Sequence, residues 1–146
     1  QLPDIPFYFA APTGTDMEMV IEMRKRIALV PNAVATTCGI RGRGALLQEV
    51  RIVAVRGLTD WQWLPGVEIR GAHGIAIAGK GTTCERWNGD EITYFEDTKH
   101  LVELIKRYHE DDTAFETEAK RQHDLFLARG KDSTTVGRKL WEWVST

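Results

Sequence analysis

Arg51-Ile52-Val53-Ala54-Val55, Ile75-Ala76-Ile77-Ala78 and Ile92-Thr93-Tyr94-Phe95 are short apolar runs, each followed by turn or helix signals. Strands alternating with helices specify a parallel sheet. In such sheets ligands bind beyond the carboxyl ends of the strands. Asp60 and Glu68 follow the first of these runs and are the candidate acids for that edge.

Upstream, Ile5 to Ala11 reads as a first strand, ended by Pro12-Thr13-Gly14. Thr15 or Asp16 caps a helix in which Met19, Val20, Met23 and Ile27 recur at helical spacing and should face the sheet. Pro31-Asn32 breaks it, and Ala33 to Cys38 is the second strand. Gly39 to Gly44 reads as a glycine-rich loop, Ala45 to Val50 as a short helix, and Asp60 to Pro65 as a tryptophan-rich loop. A short helix is expected within Gly66 to His73, and a turn or short helix over Thr82 to Trp87.

The last third is helical. Thr98 is expected to cap a helix with an apolar face of Leu101, Val102, Leu104, Ile105 and Tyr108. Asp111 or Asp112 caps the next, which runs to Arg129 and stops at Gly130. Ser133 caps the last, whose Trp141 and Trp143 read as packing residues. The stretch Glu116 to Lys120, with His123, reads as a solvated face. The expected fold is a single Rossmann-like, three-layer α/β domain over residues 1–146, with a mainly parallel sheet and a helical carboxyl-terminal section.

A chain of 146 residues fits one core. Its 42% hydrophobic and 27% charged residues are ordinary for a globular domain. A formal net charge of −2 argues against a nucleic-acid partner. No apolar stretch approaches the roughly 20 residues of a membrane span. Cys38 and Cys84 fit reduced thiols in a reducing compartment, and the expected location is the cytoplasm. A chain that begins with Gln is expected to be processed or part of a longer protein.

The stretch Asn88-Gly89-Asp90-Glu91-Ile92-Thr93-Tyr94-Phe95-Glu96-Asp97, followed by Leu101-Val102-Glu103-Leu104-Ile105, resembles the carboxyl-terminal domain of GT-B glycosyltransferases. Val67-Glu68-Ile69 to Gly74-Ile75-Ala76-Ile77 is similar to the segment before it in that family. Asp60, eight positions before Glu68, resembles the first of the family's paired acids. The likeness is best over residues 51–146, and over 1–50 it rests on the order of elements. The family's glycine after the second acid falls here at His73, with Gly74 one later, and its proline is absent. The resemblance implies a nucleoside diphosphate sugar as substrate, no cofactor and no metal. It also implies a second Rossmann-like domain or subunit to supply the acceptor half.

Each candidate residue has a chemistry and an ordinary structural reading. Glu68 is placed to accept from the paired ribose hydroxyls of a nucleotide, or is a helix-start acid favoured by the dipole. Asp60 faces the sugar, or is a solvated turn aspartate. Gly71 to Gly74 offers backbone N–H groups to a diphosphate at a helix start, with His73 as a further donor. Thr13-Gly14-Thr15 is a second strand-to-helix turn suited to phosphate, or an ordinary cap. Arg41, in the Arg41-Gly42-Arg43-Gly44 patch, is placed to meet a diphosphate or an RNA backbone, or is solvated. Trp61 and Trp63 stack on a base or sugar, or cover the core. The alternatives to sugar transfer are a non-enzymatic nucleotide- or protein-binding module and an RNA-binding α/β protein.

Overall fold

The computed structural model describes residues 5–12, 17–38, 40–55 and 69–145. The chain divides into two compact units, Gln1–Leu46 and Leu47–Thr146. In the first unit, strand β1 (Phe7–Pro12) leads through helix α1 (Met17–Ile27) to strand β2 (Ala33–Cys38). The strands pair in parallel from Phe7↔Ala33 to Pro12↔Cys38, so α1 is the crossover that parallel strands require. Glu18 lies in the first turn of α1 and Arg24, Lys25 and Arg26 in its last, matching the helix dipole. Ile27 is buried. Beyond Pro31, Asn32 fastens the start of β1: its side chain donates to Ile5 O, and Phe7 N–H donates to Asn32 O (2.9 Å).

Helix α2 spans Ile40–Glu49 and corrects the expected glycine-rich loop. Arg41, Gly42, Arg43 and Gly44 belong to it. Each interior glycine costs a helix about 1 kcal/mol, but Ala, Leu, Gln and Glu in the second half favour one. Leu47 is buried against Ile69, Ala76 and Cys84, and packing of this kind supplies most helix stability.

The second unit carries strands β3 (Ile52–Val55), β4 (Ile75–Gly79) and β5 (Thr93–Phe95), hydrogen-bonded in that order and all parallel. Helix α3 (Thr83–Asn88) and a 3-10 turn (Gly89–Glu91) join β4 to β5. Helices α4 (Thr98–Glu110), α5 (Asp112–Ala128) and α6 (Ser133–Val144) follow. Central β4 is buried throughout, as an inner strand of a covered parallel sheet must be.

Its alternate side chains build two cores. Ala76 and Ala78, with Val53, Val55 and Tyr94, pack on Leu47, Ile69, Cys84 and Ile92. Ile75 and Ile77, with Ile52 and Phe95, pack on Leu101, Leu104 and Tyr108 of α4 and Ala114, Phe115 and Ala119 of α5. Helical segments thus cover both faces, which is the Rossmann-like, three-layer α/β arrangement expected.

Asp111 caps α5 as expected, whereas the caps of α4 and α6 each fall one residue before the expected one. Asp97, Asp111 and Asp132 accept from the backbone N–H groups of His100 (2.8 Å), Ala114 (2.9 Å) and Thr135 (2.9 Å). Thr98 and Ser133 are therefore first helical residues. An ionised aspartate gains a charge-assisted bond and the dipole together, which a hydroxyl does not.

Helix α5 bears out only part of the solvated reading of Glu116 to Lys120 with His123: Glu116, Thr117 and Lys120 are exposed, whereas Glu118, Ala119 and His123 are partly or fully buried. Lys120 pairs with Asp124 on its exposed side, but Ala119 and Gln122 are buried. Ile75 N–H bonds Arg51 O on the β3 side, so the next residue, Ala76, points its backbone toward β5. Pairing with β5 begins only at Ile77↔Thr93. The Gln122 amide fills the gap: Oε1 accepts from Ala76 N–H (2.9 Å) and Nε2 donates to Ala76 O (3.1 Å). One side chain thus continues the ladder in place of a strand. Gln122→Ala leaves buried backbone groups unsatisfied and is expected to lower unfolding free energy by about 2–4 kcal/mol in urea titrations. A loss below about 0.5 kcal/mol, the level of an ordinary surface substitution, contradicts this role.

Trp141 and Trp143, read as packing residues, are instead 71% and 75% exposed. The side of α6 turned toward its own unit carries Thr135 and Lys139, which sit over Gly130. Gly130 ends α5 at a φ of 63°, where a side chain is strained.

Candidate functional site

The candidate residues fall in different parts of the structure. Asp60, Glu68, Thr13 and Gly14, together with Trp61 and Trp63, lie outside the described residues. Arg41 is in α2 by its backbone, and its side chain is outside the description. His73 and Gly74 are described, and they stand before β4, at the amino-terminal edge of the sheet.

There the expectation of a helix start is corrected. Residues 69–71 form a helical turn, and the following segment closes it: Ala72 and Gly74 N–H donate to Ile69 O (3.1 and 2.8 Å), and His73 N–H to Arg70 O (3.3 Å). These N–H groups serve the chain itself. A Cβ on Gly74 would meet Ile69 Cγ1 at 2.4 Å and Arg51 O at 2.9 Å, so close packing explains this glycine. His73 takes a φ of 60° and stacks on His123, ring centroids 3.9 Å apart. His123 Nδ1 donates to Arg70 O (2.8 Å), which fixes its tautomer, since a carbonyl only accepts.

The same edge holds a buried ionic cluster that the sequence did not reveal. Arg70 Nη1 and Glu91 Oε2 are 2.7 Å apart with both side chains wholly buried. Glu91 also accepts from Arg129 Nη1 (2.8 Å) and Lys131 Nζ (2.8 and 3.0 Å). Arg129 reaches Asp90 Oδ1 (2.7 Å) with its other nitrogen, and Arg121 reaches Asp90 O (2.6 Å). Asn88 donates to Cys84 O (2.9 Å), and the Arg70 guanidinium lies over the Phe126 ring. Burial pushes the Glu91 carboxyl up, but hydrogen bonds from Lys131 and Arg70 outweigh it and hold the group below the usual glutamate range. A perturbed acid in a cleft is a functional candidate. Here each charge is answered from within the chain and the edge is the amino-terminal one, so the cluster is structural.

The carboxyl edge is built differently. Lys80, the first exposed residue after buried β4, extends the ladder by donating its N–H to Phe95 O (2.9 Å). Its Nζ meets Glu96 Oε1, just beyond β5, at 2.8 Å, with the side chains 55% and 64% exposed. The hydrogen bond raises the Lys80 pKa and lowers that of Glu96. Gly81 turns the chain at a φ of 73°, and its N–H donates to Glu85 Oε2 (2.5 Å). Thr82 Oγ1 donates to Gly79 O (2.6 Å) and closes the loop. Sequence reasoning passed over Lys80, although a cation between two glycines directly after the most apolar run was a usable signal.

Among the described residues no group of three or more His, Cys, Asp or Glu side chains is placed to hold a metal ion. No helix among them is long and apolar enough to cross a membrane. Comparison with protein-family models, curated proteins and solved structures gives no match.

Proposed function

We propose that this chain is the nucleotide-sugar-binding half of a GT-B type glycosyltransferase, transferring a sugar from a nucleoside diphosphate donor. The observation that carries the reading is the parallel β3-β4-β5 sheet with helical layers on both faces. Its carboxyl ends open on one edge, the ligand edge of such sheets. The segment with Asp60 and Glu68 follows β3 in the chain, and the stretch that resembles the family, from Asn88 to Ile105, supplies β5 and the start of α4.

In this reading Glu68 accepts from the ribose and Asp60 from the sugar. The leaving diphosphate is stabilised by positioned donors, which is where such transfers gain rate. The acceptor half comes from a second Rossmann-like domain or subunit. The proposed setting is the cytoplasm, with which the buried Cys84 thiol is compatible. The RNA-binding alternative loses its flexible basic loop, since 40–44 are helical.

The test is a panel of nucleoside diphosphate sugars, scored by thermal shift and by release or transfer of the sugar. At least one donor is expected to raise the melting temperature, with transfer only when an acceptor half is added. Binding with no transfer under any such addition identifies a non-enzymatic module. No shift with any donor overturns the proposal.

A further inference from the structure

None of the residues of α6 is buried, and from Val136 to Val144 every one is exposed. Thr135 and Lys139 turn toward its own unit, over Gly130. At about 100° per residue, Ser133, Gly137, Leu140 and Val144 line up on the opposite side, flanked by Val136, Trp141 and Trp143. The 4-3-4 spacing of the four is that of a helix-pairing seam. A helix this short is marginal in water unless its apolar face is packed, and a glycine in its interior weakens it further. Gly137 has no packing reason within the chain, since a Cβ there would meet nothing within 4 Å.

We infer that α6 is a dimerisation helix, and that its apolar face packs antiparallel on α6 of a second copy of this chain. Two observations select that occupant. The first is area. Val136, Leu140, Trp141, Trp143 and Val144 are each more than half exposed. Together they offer on the order of 600 Å², so two copies have about 1,200 Å² to bury, where stable interfaces begin. The second is self-complementarity. The seam is small in its first half, Ser133 and Gly137, and large in its second, Leu140 and Val144. A twofold antiparallel pair centred between Arg138 and Lys139 overlaps the whole helix, sets Ser133 against Val144, and sets Gly137 against Leu140. Every layer then joins a small residue to a large one, and each contact occurs twice, as a twofold interface requires. A parallel pair would set Gly137 on Gly137 and leave a hole. The inference is independent of the nucleotide-sugar reading.

The test is sedimentation equilibrium of the full chain and three variants over a range of concentrations. The wild type is expected to reach twice the 16.5 kDa of one chain. Leu140→Glu and Gly137→Leu are expected to weaken the dimer at least about tenfold, as loss of a central interface contact does. Both positions are exposed, so neither change disturbs the core. Gly137→Leu is the sharper variant: it adds apolar surface and helix propensity, so it strengthens a face that meets lipid and weakens one that needs a glycine for a close partner. Exchanging the two, Gly137→Leu with Leu140→Gly, keeps each layer small against large and is expected to recover most of the lost affinity. A wild type that stays monomeric overturns the inference, whether its α6 then takes up vesicles of anionic phospholipid or a separate acceptor half. Unchanged or tighter association in Gly137→Leu overturns it too, and so does an exchange variant that recovers nothing.

Discussion

Glu91→Ala is expected to lower the free energy of unfolding by about 3–5 kcal/mol, the cost of removing one partner of a buried ion pair. The Glu91 side chain is wholly buried, as is that of Arg70, and Arg129 and Lys131 converge on it. Without the carboxylate, Arg70 is left charged in the interior beside further cations. Urea unfolding of the two proteins measures the difference. A loss below about 1 kcal/mol, the worth of an exposed pair, contradicts the role assigned to it.

The same residue gives a pH dependence. Glu91 has a folded pKa below its ordinary value of 4.5. Glu118 does too: burial pushes it up, and hydrogen bonds from Arg121, Gln122 and Thr93 more than reverse this. A depressed folded value means the stabilisation is complete above the unfolded pKa and is lost as pH falls through the folded one. The wild-type melting temperature is therefore expected to decline once pH drops below about 4.5. Glu91→Ala, already without this contribution, should decline less steeply over the same range.

Glu68→Ala is expected to abolish nucleotide-sugar binding while moving the melting temperature by only a few degrees. A carboxylate that grips two ribose hydroxyls makes charge-assisted bonds, each about 1.5–3 kcal/mol, and losing both weakens binding by about two to four orders of magnitude, taking a micromolar ligand to roughly 0.2 mM or weaker. Calorimetric titration and a melting curve on the same sample separate the outcomes. Full affinity in the variant removes Glu68 from the site. Lost binding with a large drop in melting temperature makes the acid structural.

The strands were legible because their apolar runs are short, β-favouring and bounded by turn residues. Ile75 to Ala78, apolar at every position, announced the buried central strand. Gly130 marked the end of α5 because only a left-handed residue closes that turn. Residues 39–44 misled because glycine count was weighed against local propensity, whereas burial of Leu47 at the other end of the helix favours the helical state. The ionic cluster was not legible at all. Arg129 and Lys131 meet Glu91 across 38 and 40 positions of chain, and Arg70 across 21, so no local spacing announces them. Gln122 was hidden for a related reason: amid charged residues of α5 it looks solvated, and its role appears only when the ladder beside Ala76 is seen to lack a strand. Lys80 had a local signal, but its importance depends on which end of the sheet it occupies.

The account turns on which edge of the β3-β4-β5 sheet meets the ligand, and amide chemical-shift mapping with a bound nucleoside diphosphate sugar measures this directly. The largest changes are expected at Lys80, Gly81, Thr82 and Glu96, with Asp60 and Glu68 among them. Changes gathered instead at His73, Gly74, Asn88 and Lys131, on the amino-terminal edge, contradict the account.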